Sequence, residues 1–135
     1  MGAWAHGGFD SDDALDFIGE LAAGKTWEPA AEALTSVIAV GDSYLEAPAA
    51  SKALAAAEVI SAAAGRPASL LPAEVAAWVT STTAPGLELV ERARRVVERI
   101  LRDSELKELW GESSDSTVWQ REVEGLLARL SAADV

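Results

Sequence analysis

Alanine fills about a fifth of this chain, and the apolar residues among the alanines recur at helical rather than alternating spacing. Alanine has the highest intrinsic helix propensity, β-branched runs are short, and no alternating strand pattern is present, so the chain reads as all-α. The segment from about Leu87 to Asp103 is the best determined, because Leu89, Ala93, Val96, Val97 and Ile100 keep one helical face throughout. With 135 residues, one core is expected, burying roughly two thirds of the surface that the unfolded chain exposes.

The other helices follow from the same periodicity and from their stop signals. The first begins near Ser11, with Asp10 or Ser11 as N-cap and the carboxylates of Asp12 and Asp13 at the positive end of the helix dipole. It buries Ala14, Phe17, Ile18 and Leu21 and stops at Gly24. A second opens around Pro29, buries Ala30, Ala33, Leu34, Val37 and Ile38, and ends before Gly41. Residues 42–48 read as a connector, followed by a helix from about Ala49 to Ala64 with Ala53, Ala57, Ile60 and Ala64 on one face. Gly65-Arg66-Pro67 breaks the chain, and a short helix from roughly Pro72 to Thr80 presents Val75, Trp78 and Val79. Leu106, Leu109 and Trp110 extend or restart the Leu87 helix. After a polar loop from Gly111 to Ser116, a last helix to about Ala132 buries Trp119, Val123, Leu126, Leu127 and Leu130. The expectation is a single-domain bundle of about six helices over residues 11–132. Residues 1–10, glycine-rich and carrying Trp4, His6 and Phe9, are expected to form an ordered clasp packed across it.

Composition excludes several classes of function. Cysteine is absent, which removes disulfides, thiolate metal sites and cysteine nucleophiles. A net charge of −11 opposes binding to nucleic-acid phosphates and to anionic membranes. There is no secretion-signal pattern and no apolar run of membrane-spanning length, so the cytoplasm is the expected compartment. No cofactor is implied.

Four places carry chemistry-bearing side chains. Asp10, Asp12, Asp13 and Asp16 offer oxygen ligands to a divalent cation, but the EF-hand positions for Gly and Glu fall on Leu15 and Leu21, and helix capping accounts for the first three. Glu88, Glu91, Glu105 and Glu108 form two Glu-x-x-Glu pairs, which resemble the paired carboxylate helices holding magnesium in all-α nucleotide pyrophosphohydrolases. Against a catalytic role, Glu88 and Arg92, Glu91 and Arg95, Glu98 and Arg102, and Asp103 and Lys107 are acid-before-base pairs at i,i+4, the arrangement that stabilises a solvated helix face. Asp42, Tyr44, Glu46 and Glu58 form a polar cluster near a helix junction, where the Tyr44 hydroxyl is expected to hold Asp42 or a backbone group while its ring packs. His6 is the sole imidazole, and no nucleophile-elbow serine accompanies it. The tryptophans at 4, 27, 78, 110 and 119 read as core and seams, and any left exposed, such as Trp110, would mark an interface.

The opening residues Met1-Gly2-Ala3-Trp4, followed by Gly7, Phe9-Asp10, Asp12-Asp13-Ala14 and Asp16-Phe17, resemble the start of the bacterial domain-of-unknown-function family 4259. Tyr44 to Pro48 leading to Ala55 to Val59 resembles its second block, and Asp103 to Leu106, Leu109-Trp110 and Trp119 resemble its third. The resemblance covers most of the chain and implies a small bacterial helical domain, with no activity to carry over. The functional expectation is therefore an acidic interaction protein, immunity- or antitoxin-like, masking a basic protein partner through Trp4, His6, Phe9, Asp10, Asp42, Tyr44, Glu46 or Trp110. The alternative is a divalent-metal-dependent nucleotide or phosphate-ester hydrolase using Glu88, Glu91, Glu105 and Glu108, and a homo-oligomer with a tryptophan seam is a third possibility.

Overall fold

Seven helices and no strand are found among the described residues, 12–65, 73–114 and 116–132 of a computed structural model. They are α1 (Asp12–Ala22), α2 (Glu28–Val40), α3 (Ala47–Ala63), α4 (Ala73–Ser81), α5 (Leu87–Arg102), α6 (Glu105–Gly111) and α7 (Ser116–Ala132). The seventh arises because the chain restarts after α5 instead of extending it. Residues 1–10, expected to form the clasp, lie outside the described residues, and so does the expected first cap at Ser11.

The alanine run builds the axis of the molecule. Every other helix packs against α3, and each of its residues from Ala50 to Ala62 except Lys52 is buried. This corrects the reading of α3 as a helix with one buried face. A helix with neighbours all round needs small side chains on every side, because interaxial distances of about 8–10 Å leave no room for large ones. Its start is also two residues earlier than expected, since Pro48 falls within the first turn, where its missing N–H costs no hydrogen bond.

The large side chains fill the gaps around α3. Phe17 and Leu21 of α1, Leu34 of α2, Ile100 of α5 and Leu126 and Leu130 of α7 are fully buried against it in one continuous cluster. Each such side chain contributes on the order of 1.5–3 kcal/mol by leaving water. The expected stripes of α1 and α7 are buried, with Leu127 only half so. One position on α2 departs from its stripe: Ile38 is 51% exposed. It borders a surface groove beside α5.

Tryptophans seal the seams. Trp27 and Trp78 meet edge to face with ring centres 4.9 Å apart, their indoles donating to Thr83 O at 2.7 Å and Gly24 O at 2.8 Å. These bonds hold α4 against the α1–α2 turn. Trp110 stacks near-parallel on the buried Trp119 at 6.4 Å. None of the four described tryptophans is exposed.

Candidate functional site

The turn between α2 and α3 meets the junction of α5 and α6, and five of the predicted site residues, Asp42, Tyr44, Glu46, Glu105 and Glu108, gather at this corner. Gly41 ends α2 at φ 59°, a left-handed conformation that glycine adopts without Cβ strain. The chain then runs exposed through Asp42, Ser43 and Tyr44 before Leu45 plugs the core. Arg99, with a side chain only 12% exposed, holds this turn from α5. Its Nη2 donates to Gly41 O at 3.2 Å and Ser43 O at 2.8 Å, and its Nη1 donates to Asp103 O.

Ser104 makes the restart. Its buried hydroxyl donates to Ile100 O at 2.9 Å and accepts from Lys107 N at 3.1 Å, ending α5 and capping α6 with one side chain. The Glu105 N–H donates to Leu45 O at 2.9 Å. The Glu105 carboxylate in turn accepts from Ala47 N at 2.7 Å, so α6 supplies the N-terminal cap that Glu46 does not give α3.

Tyr44 stands at the surface of this corner, 55% exposed. Its hydroxyl donates to Glu108 Oε1 at 3.2 Å, which corrects the expectation that it would hold Asp42 or a backbone group while its ring packed. Local desolvation, then the Glu108 hydrogen bond, then the charges of Glu108, Glu105 and Asp103 push the phenol pKa above 10. An exposed ring thus has one carboxylate bonded to its hydroxyl and the charges of two more acting on it. Asp42 and Glu46, two residues to either side, are also exposed.

The remaining predicted residues are distributed as follows. Glu88 pairs with Arg92 at 3.1 Å, as read from spacing. Glu91 bonds Arg94 at 2.9 Å and lies 3.5 Å from Arg95; the Arg94 hydrogen bond is the main reason its carboxyl sits below the usual range. Glu98 pairs at 2.9 Å with Arg94 rather than with Arg102, and Lys107 turns to Arg102 O at 3.3 Å rather than to Asp103. The four glutamates Glu88, Glu91, Glu105 and Glu108 therefore each engage a protein partner. Among the described residues no group of three or more His, Asp or Glu side chains is placed to hold a metal ion. Asp16 is exposed on α1, whereas Trp4, His6, Phe9 and Asp10 lie outside the described residues.

Sequence reasoning missed three contacts: Arg99 on the turn, Glu105 on α3, and the ion pair of buried Glu58 with Arg129 at 3.0 Å. Each joins residues at least 56 positions apart. Helical spacing carries no signal for such pairs.

The family model described as a domain of unknown function, DUF4259, matches residues 2–122. The chain belongs to this family. Its matched span contains α1 to α6 and the whole of the Tyr44 corner. Searches of curated proteins and of solved structures return no match. Among the described residues, no helix is long and apolar enough to cross a membrane.

Proposed function

We propose that this protein is an acidic protein-interaction module of the immunity or antitoxin kind, and that the Tyr44 corner receives a cationic side chain of a basic partner. The observation that carries this reading is an exposed aromatic ring with Asp103, Glu105 and Glu108 close enough to act on its hydroxyl. An arginine or lysine over the ring face gains about 0.5–1 kcal/mol at an exposed site, and more once water is excluded. The carboxylates around it add charge complementarity, which speeds encounter and selects for a positive partner. Tyrosine is also among the residues that most often dominate binding energy at interfaces. The net charge of −11 extends the same preference over the whole surface.

Affinity capture from native lysate with the intact chain, beside Tyr44→Ala and Glu108→Gln, tests this. A stoichiometric basic protein should be retained by the unsubstituted chain, released by raised salt, and lost with Tyr44→Ala. Absence of such a partner, or retention unaffected by both substitutions, counts against the module. The competing reading, a metal-dependent hydrolase, requires Glu88, Glu91, Glu105 and Glu108 to leave their present partners. Saturable magnesium or manganese binding at millimolar concentration in calorimetry would favour it instead.

A further inference from the structure

On the other sign of charge, the groove beside the exposed Ile38 stands out. Six of the eleven basic residues fall in one stretch: Arg92, Arg94, Arg95, Arg99, Arg102 and Lys107. Three of them, Arg95, Arg99 and Arg102, follow one another at helical spacing and line a groove of about 200 Å³ between the C-terminal halves of α2 and α5. Val37 and Ile38 form its apolar wall, and Asp42 contributes one carboxylate. The lining thus carries three positive charges against one negative, in a chain whose overall balance is strongly negative.

The helix dipole accounts for Arg99 and Arg102, which stand in the last turn of α5. It accounts for neither Arg95, two turns from the helix end, nor the half-exposed Ile38 facing the same groove. Arg99 is committed to the turn carbonyls. Arg95 is 72% exposed and meets Glu91 only at 3.5 Å. Arg102 is exposed and makes no ion pair with any described carboxylate. Arg102 without an ion pair and Arg95 with only a long one, their Cα atoms about 10 Å apart along the axis, thus flank a partly apolar floor.

We infer that this groove binds a small organic anion: a carboxylate or phosphate monoester head held by Arg95 and Arg102, on a short aliphatic body packed against Ile38. About 200 Å³ is below the range of drug-sized pockets, so a ligand seated in the groove is small. Charge decides the same way. A polyanion would meet the net negative field of the whole molecule, whereas a mono- or dianion responds to groups within a Debye length of about 8 Å. Guanidinium forks suit both oxyanions through paired N–H donors. Asp42 offers an acceptor at the same groove, so an anion bearing a hydroxyl or ammonium group fits better than one without. The inference does not rest on the Tyr44 reading: although Arg99 and Asp42 border both places, the ligand is an anion and its holders, Arg95 and Arg102, take no part in that reading.

Methyl and Arg Nε–H NMR spectra of the intact chain would be followed during titration with a short aliphatic hydroxycarboxylate, with the phosphate monoester of the matching alcohol, with inorganic phosphate, and with the uncharged alcohol. Saturable shifts of the Ile38 methyls and the Arg95 or Arg102 Nε–H are expected with one or both organic anions at millimolar concentration or below. Which of the two binds more tightly identifies the head group. Arg95→Gln and Arg102→Gln change exposed side chains, and each should weaken binding about tenfold, the loss of a good charge-assisted contact. Ile38→Ser should weaken the organic anions and leave inorganic phosphate unchanged. The inference is overturned if no organic anion gives saturable shifts, if inorganic phosphate binds as tightly as either of them, or if the arginine substitutions leave the affinities unaltered.

Discussion

Glu58 is 3% exposed at the centre of the molecule, between α3 and α7, and its carboxylate accepts from Arg129 Nη1 at 3.0 Å and Nη2 at 3.4 Å. Burial raises its pKa above the ordinary 4.5, outweighing the Arg129 hydrogen bonds and charge, while Glu122 adds to the rise. The sign of the consequence follows from proton binding. Between 4.5 and the higher folded value, the folded protein holds a proton that the unfolded chain has released, so this group's contribution to stability is full below 4.5 and is lost as pH rises through the folded value. Where it is ionised, the carboxylate depends on Arg129. Replacing that residue by Met should cost about 3 kcal/mol at a pH above the raised folded value, the penalty of an uncompensated buried charge, and clearly less at pH 4.5, which lies below that value and leaves the buried carboxyl protonated. Urea unfolding of both proteins at the two pH values measures the difference, and an equal cost at both would rule the pair out as its cause. Sequence placed Glu58 with Asp42, Tyr44 and Glu46 because they are near in the chain. The fold sends it to α7 instead, because α3 carries successive residues to different sides of the core.

At the scale of the element, α3 concentrates the structural requirement. Its alanines are small because six helices surround it, so enlarging one has no free direction in which to relax. Ala56→Leu should destabilise the protein by about 1–3 kcal/mol through overpacking, whereas Ala39→Leu on the exposed side of α2 should stay within about 0.5 kcal/mol. Thermal or urea midpoints of the two variants check the contrast; equal effects would mean that α3 is not tightly enclosed. Apolar periodicity made α1, α2, α5 and α7 legible, since each has one wet face that breaks the pattern. It misjudged α3, where burial on every side leaves no polar phase to read. Between α5 and α6 periodicity left extension and restart both open, and the restart is made by Ser104, which ends one helix and caps the next, with the Glu105 N–H bonding to Leu45 from the far side of the corner.

For the molecule as a whole, the excess of negative charge opposes compaction. Charge repulsion is greater in the folded state, where the carboxylates are closer together, so screening should favour folding. Raising ionic strength from about 0.01 M to 0.15 M shortens the Debye length from about 30 to 8 Å and should raise the thermal midpoint. Scanning calorimetry in sodium chloride tests this, and a flat or falling midpoint would show that the surface pairs along α5 outweigh the net repulsion. Composition and periodicity alone determined the all-α class, the placement of most helices and the acidic character, because these depend on local propensity and on sums over the chain, while particular residue blocks carried the resemblance to the family. Only the tertiary structure decided which charges meet between one helix and another. It brought Glu108 to Tyr44, drew Arg99 onto the turn, and lined a groove with three arginines in a chain of opposite sign, because contacts between distant residues depend on how the helices pack around α3.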